Sequence, residues 1–162
     1  KHRIYTNGYL KKEKNLERKL NIEAVENYNI DKVYFNKIKF GGDITLENGT
    51  VIPNSELSFD PQVAKSYAFC SDTIYNEEII PIIENVDYLY HESTFLESEA
   101  HLSEKTMHST AKQAATIALK ANVKNLILGH YSTRYGDINL FKQEAQTIFP
   151  ILQLADDRKE FD

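Results

Sequence analysis

Apolar residues in the second half of the chain fall into short runs bounded by polar stretches. Residues 66–71, 86–90 and 125–129 are built on Tyr67-Ala68-Phe69-Cys70, Val86-Asp87-Tyr88-Leu89-Tyr90 and Asn125-Leu126-Ile127-Leu128-Gly129. Runs of this length predict buried strands rather than helices. Helical spacing lies between and after them. Ala111, Ala114, Ala115, Ala118 and Leu119 fall at i, i+3, i+4, i+7 and i+8, behind a Thr110-x-x-Gln113 capping box and ahead of Asn122 as a stop. A shorter helix is predicted over 77–84, with Asn76 as N-cap, Ile79, Ile80, Ile82 and Ile83 packing inward, and Pro81 early enough to be tolerated. A last helix is predicted over 139–149, stopping before Pro150. Residues 95–107 are polar and read as a loop.

The first sixty residues are patterned differently. Residues 1–12 read as a strand, with Ile4, Tyr9 and Leu10 around Gly8. From there to about Phe40 the chain is charged. Leu16, Leu20 and Ala24 make one stripe of a modest amphipathic helix. The alternating run 41–52 carries an Asn48-Gly49 turn and predicts a hairpin; residues 53–61 connect. The expected organisation is therefore a strand of the body at 1–10, an arm at 11–60 and an α/β half-domain at 61–162. No repeat or low-complexity tract interrupts it.

Length and composition narrow this picture only a little. The chain has 162 residues, 41% of them hydrophobic and 27% charged, as in ordinary globular domains. A single cysteine, Cys70, rules out an internal disulfide, reads as a buried inert thiol, and favours a cytoplasmic protein. No apolar run reaches the roughly 20 residues of a membrane span. The chain opens on Lys1 in what reads as the middle of a strand, so it is expected to be a fragment. The charge is more telling. The net value is −5, yet residues 1–40 hold ten Lys/Arg against five Asp/Glu. An acidic body with a basic arm is a footprint for a polyanion, although a solvated basic surface gives the same counts.

The candidate chemistry sits where the three strands end. In layered α/β folds, ligands collect at the carboxyl ends of the strands. Asp72 follows the first run, and there a carboxylate either binds a metal or caps the next turn. His91-Glu92 ends the second run. His91 is a candidate proton donor with Glu92 orienting it, or a satisfied structural histidine beside a surface glutamate. Consecutive strand residues face opposite ways, so the two cannot both meet one substrate atom while the strand continues. His130 ends the third run as a candidate ligand. Arg134 offers a planar fork for phosphate. His108-Ser109-Thr110 opens the best helix, where free N–H groups form an anion site or are simply capped. There is no H-x-H-x-D-H segment, no paired C-x-x-C and no G-x-S-x-G. Asp72, His130 and His2 are three candidate ligands in all, and a catalytic zinc ordinarily takes three protein ligands by itself.

In order and spacing, these motifs resemble the carboxy-terminal half of ribonuclease Z, a tRNA 3′-processing endonuclease of the metallo-β-lactamase fold. The resemblance rests on Cys70-Ser71-Asp72-Thr73, His91-Glu92-Ser93-Thr94-Phe95, His108-Ser109-Thr110-Ala111 and Leu128-Gly129-His130-Tyr131-Ser132-Thr133-Arg134-Tyr135. His2 followed by Gly8-Tyr9, and the hairpin Asp43-x-Thr45-Leu46-Glu47-Asn48-Gly49, extend it over nearly the whole chain. It implies half of an αβ/βα sandwich with an inserted tRNA-binding arm. It makes His2 a ligand of one zinc, Asp72 the carboxylate bridging two zincs, and His130 a ligand of the second. His91 and Glu92 would serve proton delivery to the leaving group. His108, Ser109 and Thr110 would lie near the scissile phosphate, and Arg134 would contact it. Lys11, Lys12, Lys14, Arg18, Lys19, Lys37 and Lys39 would hold precursor tRNA by its backbone. The implied enzyme hydrolyses the phosphodiester with two zincs activating a water and removes 3′ trailers as a homodimer, and this portion is expected to be inactive alone. Ser93 stands where the family has Ala, and Ile30-Asp31-Lys32-Val33-Tyr34 stands where its arm carries Pro-Pro-Gly-Pro. Two other readings stay open: a hydrolase of the same fold acting on small phosphodiesters or esters, for which a basic arm has no use, and a non-catalytic RNA-binding fragment.

Overall fold

The structure, a computed structural model, describes residues 1–161. They form two compact units: residues 1–12 with 65 onward, and residues 13–64. The first unit starts with strand β1 (Tyr9–Lys12). Lys11 and Lys12 therefore belong to the body and not to the arm where the sequence places them.

The second unit is small. It comprises β2 (Lys19–Leu20), α1 (Ile22–Asn27), α2 (Phe35–Lys39), β3 (Ile44–Thr45), β4 (Val51–Ile52), α3 (Asn54–Leu57) and β5 (Ser58–Phe59). The helix expected across Leu16, Leu20 and Ala24 does not form. Lys19 and Leu20 pair with Phe59 and Ser58 instead. The helix starts only after Asn21, whose side chain accepts from Ala24 N–H at its N-terminus. The hairpin is present, with Ile44 opposite Ile52 and Gly49 at φ +83 in its turn. Val25, Ile30, Ile38, Ile44, Ile52 and Leu57 make a separate apolar core.

The body continues with β6 (Ser66–Cys70), α4 (Ile80–Ile83), β7 (Tyr88–Glu92), α5 (Ala100–Thr106), α6 (Ala111–Lys120), β8 (Asn125–Gly129), α7 (Asn139–Ala145) and β9 (Leu152–Leu154). The sheet order is β1-β6-β7-β8-β9. β1 runs antiparallel to β6 and the rest are parallel. Parallel neighbours require crossovers, which here carry helices. Ala111, Ala114, Ala115 and Ala118 give α6 a smooth face that packs in one core with Ala68, Leu89, Leu126 and Leu128 of the strands. Each of the three leucines is fully buried, worth roughly 1.5–3 kcal/mol. Both bonds of the Thr110–Gln113 capping box are made. In the body two elements escape the sequence reading, and in the arm the residues expected as a connector hold α3 and β5. Residues expected as a loop hold α5, and β9 adds a fifth strand.

Alternation sends Tyr67, Phe69, Tyr88, Tyr90 and Ile127 to the other side of the sheet, away from that core. Phe69 stacks on Tyr90, ring centroids 4.7 Å apart. Among the described residues, no helix is long and apolar enough to cross a membrane.

Candidate metal centre

β6, β7 and β8 are adjacent and parallel, so their carboxyl ends share one edge of the sheet. Asp72 leaves β6 with φ +49 and His130 leaves β8 with φ +61. Left-handed backbone at a non-glycine residue costs of order 1–2 kcal/mol and gathers where function fixes it. Met107, also left-handed at φ +61, ends α5 and turns the chain just before His108. Asp72, His108 and His130 thus converge: one ligand atom from each lies within 4.8 Å of the others. His130 Nε2 is 3.3 Å from Asp72 Oδ1. A tetrahedral ion with bonds of about 2.0–2.1 Å spaces its ligands about 3.3–3.4 Å apart, so this donor pair fits zinc. His2 stands alongside. Its ring centroid is 4.8 Å from that of His108, and Ile74 N–H donating to the carbonyl of Lys1 at 2.9 Å ties its segment to the end of β6.

Glu92 organises the edge. Its side chain is fully buried. Oε1 accepts from Thr73 N–H at 2.6 Å and from His108 Nδ1 at 2.8 Å. Oε2 accepts from the Thr94 hydroxyl at 2.6 Å and from Ser109 N–H at 3.1 Å. A carboxylate acceptor obliges His108 to carry a proton on Nδ1, which leaves Nε2 facing the cluster. His2 is set the same way, by Nδ1 donating to the carbonyl of Met107 at 3.0 Å.

The sequence candidates separate in space. His91 does not join the site. It alternates away from Glu92 into the core, where Nδ1 donates to the Glu92 carbonyl at 2.8 Å and Nε2 meets no partner. Burial pushes its pKa below the ordinary histidine value, so the ring is neutral. Of the pair His91-Glu92, only the glutamate reaches the cluster, through His108. Ser109 and Thr110 are also buried. Ser109 donates to the Thr73 carbonyl at 2.6 Å, and Thr110 donates to Glu97 at 2.8 Å while capping α6. Arg134 lies over the Phe95 ring, 5.2 Å from its centroid, with Nη1 on Glu99 at 2.6 Å. Phe95 in turn flanks His108 at 6.5 Å, so Arg134 stands one ring removed from the donor cluster with one arm of its fork committed.

Of the basic residues, Arg18 is bound internally to Ser58 at 2.8 Å and to Asp60, and Lys39 pairs with Glu17 at 3.4 Å. Lys11, Lys12, Lys14, Lys19 and Lys37 are exposed. Sequence reasoning gave no role to Thr94 or to Tyr90. The Tyr90 phenol lies over Gly129, where an added Cβ would come within 2.4 Å of it.

No family model matches the chain. It is 49% identical over 150 residues to a protein named Ribonuclease Z from Parabacteroides distasonis, covering 93% of this chain and 49% of that protein. It is 44% identical over 161 residues to Ribonuclease Z of Porphyromonas gingivalis, covering 99% of this chain and 53% of that one. The chain thus spans about half the length of the curated relatives it matches. Among solved structures it resembles the metallo-β-lactamase fold protein YhfI of Bacillus subtilis, with TM-score 0.53 and 26% identity over 56% of this chain and 37% of that one. It also resembles a long form RNase Z from yeast, with TM-score 0.50 and 27% identity over 60% of this chain and 13% of that one. The chain has the metallo-β-lactamase fold and is similar over most of its length to proteins named Ribonuclease Z, of which it spans about half.

Proposed function

We propose that this chain is part of a zinc-dependent endoribonuclease that removes 3′ trailers from precursor tRNA by phosphodiester hydrolysis, acting in the cytoplasm as a homodimer. The observation that carries the reading is identity of 44–49% to proteins named Ribonuclease Z over 93–99% of the chain. The convergence of Asp72, His108 and His130 on one sheet edge supports it.

Asp72 and His130 would hold zinc together with His2. The bound metal would polarise the phosphate and acidify a water. Two ions need more ligands than Asp72, His130 and His2 provide, so further donors would come from outside these 162 residues, and the chain alone is expected to be inactive. His108 would act as the acid. Glu92 backs Nδ1, so a proton on Nε2 faces the cluster and can pass to the departing 3′ oxygen. Asp72 and Glu92 would divide the work of two carboxylates, one on metal and one on the proton. Exposed Lys14, Lys19 and Lys37 of the arm, with Lys11 and Lys12 of β1, would meet tRNA phosphates, and binding would weaken steeply with salt.

Cleavage of a precursor tRNA by the full-length protein tests the reading. Asp72→Ala should abolish cleavage while tRNA binding persists. His108→Ala should slow cleavage by about 10²–10⁴-fold, the range for losing a general acid. Undiminished turnover in Asp72→Ala would refute the assignment.

A further inference from the structure

Thr94 follows β7 by two residues and is buried beside Glu92. Its hydroxyl has two neighbours that compete for one proton. Glu92 Oε2 is 2.6 Å away on one side, and His130 Nδ1 is 2.8 Å away on the other. A hydroxyl has one hydrogen to give and lone pairs to receive. A carboxylate oxygen only accepts, and at 2.6 Å an acceptor facing an unprotonated hydroxyl oxygen would be repulsive. The hydrogen of Thr94 therefore goes to Glu92. Toward His130 the same oxygen can only accept, so Nδ1 of the neutral ring must carry the proton.

We infer that Thr94 fixes the tautomer of His130, so that Nε2 is held as a lone pair toward Asp72. The His130 backbone is left-handed at φ +61, and Gly129 before it is packed under the Tyr90 phenol. The consequence at the sheet edge follows directly. Nε2 and Asp72 Oδ1, both acceptors, face one another at 3.3 Å, an arrangement that a cation between them satisfies. Glu92 then serves two imidazoles at once, His108 directly and His130 through Thr94. Among the described residues one buried carboxylate aligns both histidines of the cluster. Thr94 is a positioning residue: it acts on His130 and touches no substrate. The tautomer stands on hydrogen bonds alone, whereas its effect on metal affinity rests on the proposed reading of Asp72 and His130 as ligands.

The test is long-range ¹H–¹⁵N correlation of the histidine rings in the metal-free protein, well above the ordinary histidine pKa of about 6.5. His130 is expected to be protonated on Nδ1 in the wild type and in Thr94→Ser, and to shift toward Nε2–H in Thr94→Val. Zn²⁺ affinity should fall about 10- to 100-fold in Thr94→Val, the usual loss for an outer partner of a ligating histidine, and return in Thr94→Ser. A wild-type His130 protonated on Nε2 overturns the inference, and so does a Thr94→Val protein with unchanged tautomer and affinity. Should Thr94→Val fail to fold, the wild-type and Thr94→Ser spectra decide alone. An Nδ1–H tautomer in a protein that takes up no zinc upholds the role of Thr94 and overturns the metal reading instead.

Discussion

Replacing Glu92 by Gln removes a charge but keeps the shape, and the structure says how many bonds survive. The carboxylate accepts four hydrogen bonds, two on each oxygen. A glutamine offers one oxygen and one NH₂ group. Whichever way the amide turns, the NH₂ faces two former donors: Thr73 N–H with His108 Nδ1, or the Thr94 hydroxyl with Ser109 N–H. The hydroxyl can turn its hydrogen elsewhere and His108 can change tautomer. The backbone N–H cannot, and each buried donor left unsatisfied costs about 1–3 kcal/mol. Against this stands relief from burying a charge, and replacing buried ionic groups sometimes stabilises. That relief requires apolar replacements, and Gln is polar. The balance predicts a loss of about 1–3 kcal/mol, a sizeable share of the roughly 5–15 kcal/mol of a typical domain. Urea unfolding in the presence of a chelator measures it without any contribution from metal. A midpoint unchanged from wild type, at unchanged slope, would show that Glu92 does not organise the sheet edge as described.

Three smaller predictions concern the surroundings. Gly129→Ala should destabilise by about 1–3 kcal/mol, because its Cβ would lie 2.4 Å from the Tyr90 phenol, which is stacked on Phe69; Tyr90→Ala should recover part of the loss in a double-mutant cycle. Cys70 is buried and its thiol is pushed up to about 11 by burial, so labelling with a thiol reagent at mildly alkaline pH should be slow in the folded protein and fast in urea. Asp87 is held down to about 2, first by Lys124 at 2.6 Å and then by Ser66. Its ionised form therefore favours folding above the unfolded value of about 3.9, and the benefit disappears as pH falls toward 2. Asp87→Asn should lower stability at neutral pH and flatten its decline between those two values.

Elements with local signals were legible. Strand 125–129 and the capped helix 111–120 formed where pattern and cap agreed. Elements held by distant partners were not. The stripe Leu16–Leu20–Ala24 has helical spacing, but pairing of Lys19–Leu20 with β5 overrides it and Asn21 restarts the helix. α5 has few apolar positions and is tied down by Ser103 and Thr106 hydroxyls bonding to backbone carbonyls. At the site, spacing could name Asp72, His108 and His130 as candidates. It could not show that Glu92 binds residues 16 to 19 positions away. Nor could it choose between His91 and Glu92. Alternation says only that they part ways, and packing decides that the glutamate faces the cluster.

The proposed metal centre lies where the three parallel strands end, between Asp72 and His130. Anomalous diffraction at the zinc edge, on crystals of the protein soaked in Zn²⁺, tests it most directly. The expected result is a peak about 2.0–2.2 Å from both Asp72 Oδ1 and His130 Nε2, with no sulfur ligand. No peak between those two atoms, or a peak only at other residues, would contradict it.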